Sequence, residues 1–171
     1  KGHRALAELE QRGFLKGLIT QNVDNLHQQA GNTRVLEIHG DHLHLQCLEC
    51  GNTVPSMEEH FQGKSIPSCT LCSYPLKPNV VLFGEAVRSM QEIETLIINC
   101  DLLLVIGTSA SVYPAASLPE MVKQGGGLLY EFNLEPALAA SHYSRSTSIT
   151  DYFFEGDLST TLPRFTETIL G

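Results

Sequence analysis

Four of the chain's five cysteines stand in two Cys-x-x-Cys pairs, Cys47/Cys50 and Cys69/Cys72, separated by residues 51–68. No other spacing in the sequence restricts the fold as much. Each Cys-x-x-Cys turn offers two thiolates to one cation, and two such turns close a tetrahedron. The interval falls within the range expected of a four-cysteine zinc site. Four protein ligands leave no open position, so a zinc ion held there would be structural. Such binding is worth on the order of 10 kcal/mol, enough to order a loop-rich segment. The other readings of the same residues are a redox pair or four unlinked core cysteines. His42 and His44 stand nearby, but four thiolates suffice without them. Cys100 lies at a helix-to-strand junction among apolar residues and reads as a buried, inert thiol. An odd cysteine count clustered in this way argues against a secreted disulfide scaffold. A reducing compartment, and so a cytoplasmic protein, is the expectation.

Outside this module the chain alternates short apolar runs with helical periodicity. His3 to Arg12 carries Ala5, Leu6 and Leu9 on one stripe and ends at Gly13. Strand-like runs follow at Phe14–Thr20 and Val35–His39, with one or two helical turns over Asp24–Ala30 between them. Leu43 and Leu45 alternate with His42, His44 and Gln46, as in a half-exposed strand entering the cysteine region. Cys47 to Pro78 is broken by Gly51, Pro55, Gly63, Pro67 and Pro75, and reads as irregular. Val80–Phe83 and Asp101–Ile106 read as strands and Ser89–Asn99 as a helix. Pro114–Gln124 also reads as a helix, with Pro114 near its first turn. Leu128–Phe132, a strand at Ser148–Phe154 and a helix near Leu158–Leu170 complete the pattern. Strands alternating with helices predict an α/β fold with a mainly parallel sheet covered on both faces.

Three apolar strands end in small or amide-bearing residues: Thr20-Gln21-Asn22, Gly107-Thr108-Ser109 and Asn133-Leu134-Glu135. Ligands of open parallel sheets bind beyond the carboxyl ends of the strands. Gly107 permits close backbone approach, Thr108 and Ser109 can hold phosphate or ribose oxygens, and Glu135 can accept from a ribose diol. Each alone is also a plain turn or helix cap. Three together point to a nucleotide crevice. His39 ends a strand and precedes Gly40, which makes it the candidate catalytic base among seven histidines. His3, His27, His42, His44, His60 and His142 read as solvated or packed.

The 171 residues carry 11 Lys and Arg against 19 Asp and Glu, a net charge of −8. Such a surface repels phosphate backbones and anionic membranes, so neither nucleic acid nor membrane is the expected partner. The longest apolar runs are too short to cross a bilayer.

In this order, six motifs resemble those of the sirtuins. They are Thr20-Gln21-Asn22-Val23-Asp24-Asn25-Leu26-His27, Glu37-Ile38-His39-Gly40, and the two cysteine pairs. Lys77-Pro78-Asn79-Val80-Val81-Leu82-Phe83-Gly84-Glu85, Gly107-Thr108-Ser109 through Val112-Tyr113-Pro114, and Asn133-Leu134-Glu135-Pro136 follow. The likeness runs from about His3 to Pro163.

The resemblance implies an NAD-dependent protein-lysine deacylase, which transfers the acyl group to ADP-ribose and releases nicotinamide. It implies an incomplete Rossmann-like NAD-binding domain at 1–40 and 80–171 and a zinc-binding module at 41–79. Residue by residue, it places Gln21, Asn22, Val23 and Asp24 at the nicotinamide and its ribose, with Asn22 and Asp24 joining His39 in catalysis. Gly107, Thr108, Ser109, Asn133, Leu134, Glu135 and Leu158 would bind the rest of NAD. Val81, Phe83, Gly84, Glu85 and Val112 would grip an acyl-lysine peptide added as a strand. The zinc ligands would be Cys47, Cys50, Cys69 and Cys72. The family's first strand, its Gly-Ala-Gly phosphate loop and its loop with an Asp-Phe-Arg run have no match after Lys1, so they are expected upstream. This chain alone is therefore expected to bind NAD weakly and to turn over little. The rival readings are an inactive NAD or ADP-ribose binding module and a zinc-ribbon interaction protein.

Overall fold

The computed structural model describes residues 1–63, 65–138 and 148–171. His142 lies outside the described residues. The chain forms two compact units. One comprises Lys1–Leu18, His27–Val35 and Met90–Gly171; the other comprises Ile19–Leu26 and Leu36–Ser89. The second takes in the whole of residues 41–79 together with flanking stretches.

The first unit is built on a parallel sheet of three strands, β6 (Leu102–Ile106), β7 (Leu128–Asn133) and β8 (Tyr152–Glu155), in that order. Leu104 aligns with Tyr130, and Tyr130 with Tyr152. Parallel neighbours need a crossover. Between β6 and β7 it is supplied by the helix α4 (Leu118–Gln124), which packs on both strands. The expected helix at Pro114–Gln124 begins instead with a tight turn at Ala115–Ser117 before α4. The helix α3 (Met90–Ile98) buries Ile93 and Ile97. Phe132 is fully buried, stacked on Phe154 at 4.4 Å and met edge-on by Phe165 at 5.2 Å. Phe165 belongs to α5 (Leu158–Leu170), whose first turn is capped by the Asp157 carboxylate accepting from the Ser159 N–H at 2.7 Å. Glu131 is buried in β7, and its carboxylate accepts from the Thr150 hydroxyl at 2.7 Å and from the Ala137 N–H.

The helix α1 (Gly2–Gln11) packs on α5 and buries Ala5, Leu6 and Leu9, the stripe read from the sequence. At its end the Phe14 and Leu15 N–H groups both turn back to the Leu9 carbonyl. That use of the backbone closes the helix, so the expected strand at Phe14–Thr20 shortens to β1 (Leu18–Thr20). β1 pairs with β2 (Val35–Glu37), with α2 (Leu26–Ala30) between them in sequence.

The second unit has an antiparallel sheet with β3 (Gly40–Cys47) between β4 (Thr53–Pro55) and β5 (Leu76–Val80). The register of β3 against β5 shifts between Gly40 and Leu45. That irregularity breaks the two-residue alternation, so Leu45 is buried while Leu43 is exposed. The strand expected at Val80–Phe83 is displaced too. β5 ends at Val80, and the chain then turns, with the Glu85 N–H bonded to the Leu82 carbonyl. Among the described residues, one buried apolar cluster here comprises Leu45, Cys47, Cys69 and Leu76, flanked by Val54. Among the described residues, no helix is long and apolar enough to cross a membrane.

Glu10, at the end of α1, binds one loop with both oxygens. They accept from the Asn32 amide at 2.6 Å, the Thr33 hydroxyl at 2.5 Å, the Thr33 N–H at 2.9 Å and the Arg34 N–H at 3.0 Å. Partial burial works against the charge, but the Thr33, Asn32 and Arg34 donors prevail and lower the carboxyl from 4.5 to about 2. A depressed folded value stabilises above the unfolded one, and the gain disappears as pH falls through the folded one. Glu10→Gln will therefore lower stability at pH 7, and the deficit will shrink between about pH 4.5 and 2. Denaturant unfolding of both proteins at pH 7 and at pH 3 measures this.

Candidate active site and metal centre

β1 ends where the Thr20 hydroxyl accepts from the Asn22 N–H at 3.1 Å. The Ile38 N–H still bonds to the Thr20 carbonyl at 3.1 Å, so the two chain segments stay side by side. One residue further, His39 Nδ1 lies 2.9 Å from the Gln21 carbonyl oxygen. A carbonyl only accepts, so Nδ1 carries the hydrogen and Nε2 keeps the lone pair. The next carbonyl but one, Val23, accepts from the His42 N–H at 3.1 Å and from the His42 ring. Asp24 Oδ1 accepts from the Leu26 N–H at 3.0 Å and opens α2. Gln21, Asn22, Val23, Asp24 and His39 thus come together in one unit, with Asn22 exposed.

His39 is followed by Gly40 at φ +78°. A Cβ there would lie 2.0 Å from the Asn79 carbonyl oxygen, a separation no side chain permits. The His39 carbonyl accepts from the Val81 N–H at 2.9 Å. From Val81 the chain enters a turn in which Leu82 and Phe83 point outward, Phe83 fully exposed. Lys77 Nζ donates to the Val80 carbonyl at 2.9 Å and to the two Glu85 oxygens at 2.8 and 2.6 Å. Glu85 also accepts from the Leu82 N–H at 2.9 Å. The Lys77 ammonium, then that N–H, hold the Glu85 carboxyl below its usual range. The Glu85 carboxylate is engaged inside its own turn, which leaves the apolar side chains as the outward-facing groups.

The first unit carries a second group at the carboxyl ends of β6 and β7. The Gly107 N–H bonds to the Phe132 carbonyl at 2.9 Å, and Gly107 takes φ +56°. A Cβ on it would lie 2.8 Å from the Leu158 side chain, at the start of α5. The Asn133 amide donates to the Thr108 carbonyl at 2.8 Å. The Thr108 hydroxyl accepts from the Ala110 N–H at 3.1 Å, and the Ser109 and Ser111 hydroxyls lie 2.8 Å apart. Gly107, Thr108, Ser109, Asn133 and Leu158 are thus neighbours. Leu134, Glu135 and Val112 are exposed.

The sulfurs of Cys47, Cys50, Cys69 and Cys72 all lie within 4.8 Å of one another. Cys47 to Cys72 is 3.4 Å, Cys50 to Cys69 3.7 Å and Cys50 to Cys72 3.6 Å. A zinc tetrahedron with Zn–S bonds of about 2.3 Å has edges of about 3.8 Å, so this set fits one ion. The Leu71 N–H, then that of Cys72, draw Cys69 down to about 6. The Tyr74 N–H favours the Cys72 thiolate, but the surrounding sulfurs, Cys47 first, push it up to about 12. Sulfurs this close ionise together only around a cation. Cys100 is half-buried, and burial raises its thiol.

A model of the Sir2 family matches residues 1–114. The chain belongs to the Sir2 family. This Sir2 chain is 40% identical over 173 residues to an NAD-dependent protein deacylase of Pyrococcus furiosus, covering 98% of this chain and 66% of that protein. It is 45% identical over 139 residues to an NAD-dependent protein deacetylase of Caldivirga maquilingensis, covering 80% of this chain and 54% of that protein. A solved Sir2 homologue mutant in complex with ADP-ribose superposes with a TM-score of 0.87 at 36% identity, over 99% of this chain and 66% of the other. Sir2Af2 bound to a myristoylated histone peptide gives a TM-score of 0.80 at 41% identity, over 98% and 70%. The chain spans between about half and two thirds of the length of the two curated relatives named here.

Sequence reading of this Sir2 chain missed the helpers of these sites. Thr20 orients Asn22, Lys77 ties the Leu82–Glu85 turn, and His42 holds Val23. Their donors and acceptors are ordinary surface residue types, and no spacing rule marks them. For the metal centre the expected result is one zinc per chain by elemental analysis. Chelation, or Cys69→Ser, will abolish amide protection in β3 and β5, because an apolar cluster so small cannot replace on the order of 10 kcal/mol of metal binding. Hydrogen exchange with and without chelator measures it.

Proposed function

We propose that this chain carries the base, the acyl-lysine contacts and part of the cofactor contacts of an NAD-dependent protein-lysine deacylase. The observation that carries the reading is the His39–Gln21 hydrogen bond of 2.9 Å, which aims a ring nitrogen lone pair away from the backbone. NAD supplies an electrophilic ribose carbon beside a diol. With NAD bound, His39 Nε2 would accept the proton that a diol hydroxyl gives up as its oxygen forms a new bond, and the Nδ1–H would keep its bond to the Gln21 carbonyl. That bond favours the imidazolium as it forms and keeps the ring from rotating. A pure binding module has no need of such an oriented base.

The donor set in the first unit suits a ligand rich in phosphate and hydroxyl oxygens. Gly107 bares its backbone, and the hydroxyls of Thr108 and Ser109 flank it. The Asn133 amide fixes the Thr108 peptide from the next strand. In the second unit the exposed Phe83 and Leu82 fit the methylene stem of a neutral acyl-lysine. A peptide strand pairing beside them accounts for binding without a strict sequence requirement. Names among the relatives agree with this reading: they are called NAD-dependent protein deacylases or deacetylases. One solved relative is a Sir2–p53 peptide–NAD+ structure. Five unpaired cysteines, four of them needed as thiolates, favour a reducing compartment such as the cytoplasm.

The test incubates the zinc-loaded protein with NAD and an acetyl-lysine peptide, both as this chain and fused to the phosphate-loop segment of a Sir2 relative. Nicotinamide and deacylated peptide should appear in equal amounts in the fusion. His39→Ala should cut that rate by roughly 10²–10⁴-fold, with zinc content and melting unchanged. Deacylation that survives His39→Ala would remove the histidine from its assigned role.

A further inference from the structure

We propose that Asp41, Asn79 and Arg88 form a positioning relay for His39; the assignment rests on the deacylase reading above. Asp41 and Asn79 are 7% and 5% exposed, so their polar atoms must find partners inside the protein. Asp41 Oδ2 accepts from the Asn79 amide nitrogen at 2.6 Å. Asp41 Oδ1 accepts from the Leu43 N–H at 2.8 Å and from His44 Nδ1 at 2.7 Å. Burial opposes the charge on Asp41, but the His44 and Asn79 donors overcome it and lower its carboxyl. Asn79 Oδ1 accepts from Arg88 Nη2 at 2.7 Å, and the same nitrogen reaches Gln46 Oε1 at 3.0 Å. One amide therefore bridges a carboxylate and a guanidinium, and its two ends cannot be exchanged without opposing both charges.

The relay closes on the backbone of the base. The Arg88 N–H bonds to the Ile38 carbonyl at 3.1 Å, immediately before His39. The Val81 N–H, two residues after Asn79, bonds to the His39 carbonyl at 2.9 Å. Gly40 pairs with Val80 and lies against the Asn79 carbonyl so closely that no Cβ fits. The peptides on both sides of His39 are thus held by the segment whose interior the relay locks. With the backbone fixed, the ring has one direction in which to reach the Gln21 carbonyl. The relay side chains bond to one another and to Gln46, Leu43 and His44, while the His39 ring bonds to Gln21, so the relay acts on the ring through the backbone. Three apolar residues could fill the same volume, but they would not set a direction; a fully bonded polar chain does.

The experiment labels histidine with ¹⁵N in the zinc-loaded protein and reads the His39 ring by long-range ¹H–¹⁵N correlation. In the unaltered protein His39 should show a single Nδ1–H tautomer. Asn79→Leu removes the bridge. It should give His39 signals averaged over both tautomers and, in the phosphate-loop fusion, lower kcat by roughly 10- to 100-fold, with a much smaller change in peptide KM. Asp41→Asn combined with Asn79→Asp reverses the polarity of the bridge while keeping a donor against an acceptor and a carboxylate facing Arg88. It should restore both the tautomer and kcat. Arg88→Met removes only the guanidinium from a half-buried side chain, and it should shift the His39 signals in the same direction should Asn79→Leu fail to fold. A folded, zinc-bound Asn79→Leu or Arg88→Met protein with an unaltered His39 tautomer overturns the relay. So does a folded paired variant that recovers neither property. The ring readout needs no turnover. Relay-dependent His39 signals in a protein that never deacylates even when fused to the phosphate-loop segment of a Sir2 relative would uphold the relay and overturn the deacylase reading instead.

Discussion

Four sulfur atoms within 4.8 Å of one another cannot all carry charge unless a cation lies among them. The second unit is organised around that constraint. Among the described residues, the buried apolar cluster beside these sulfurs holds four residues, and two of them are cysteines of the set. β3 runs from Gly40, next to His39, to Cys47, and β5 pairs with it at both ends, Gly40 with Val80 and Cys47 with Leu76. Metal binding and the placement of His39 are therefore linked through one pair of strands. A structural ion at one end of β3 would stabilise the sheet at whose other end lies His39, the proposed base.

At the base end the architecture is polar. Ile38, His39 and Gly40 are fixed by three backbone hydrogen bonds and one steric contact, and His39 is aimed by a fourth hydrogen bond to Gln21. Each of these bonds is worth little alone, on the order of 1 kcal/mol net. Their value lies in direction: together they leave the imidazole one tautomer and one orientation. The turn after Val81 is built on the same logic, with Lys77 and Glu85 satisfying each other so that Leu82 and Phe83 face outward.

The first unit depends on a different force. Phe132 of β7 and Phe154 of β8 stack, Phe165 of α5 meets both edge-on, and α1 lays its apolar stripe on α5. That packing puts the Gly107-Thr108-Ser109 loop and Asn133 at adjacent strand ends. The Asn133 amide then ties the two ends together at 2.8 Å. A hydrophobic core thus fixes where polar residues gather, and local hydrogen bonds fix how they face.

Much of this was legible in the residues alone. The cysteine spacing, the Leu102–Ile106 run and the stripe of α1 each express a short-range rule, in which one turn or one period is enough to read the outcome. Those rules determined the metal centre, the α/β alternation and the candidacy of His39. Tertiary structure decided what local rules do not contain. Glu10 spends its carboxylate on Asn32, Thr33 and Arg34, partners more than twenty residues away. A register shift buries Leu45 and exposes Leu43, because pairing with β5 overrides alternation. The strand expected at Val80–Phe83 ends at Val80 because Glu85 turns back on Leu82. The hydrogen on His39 is assigned by a carbonyl at Gln21, which only folding brings within 2.9 Å. Residue type determined which chemistry was available, and long-range hydrogen bonding, invisible to any window of sequence, decided its direction.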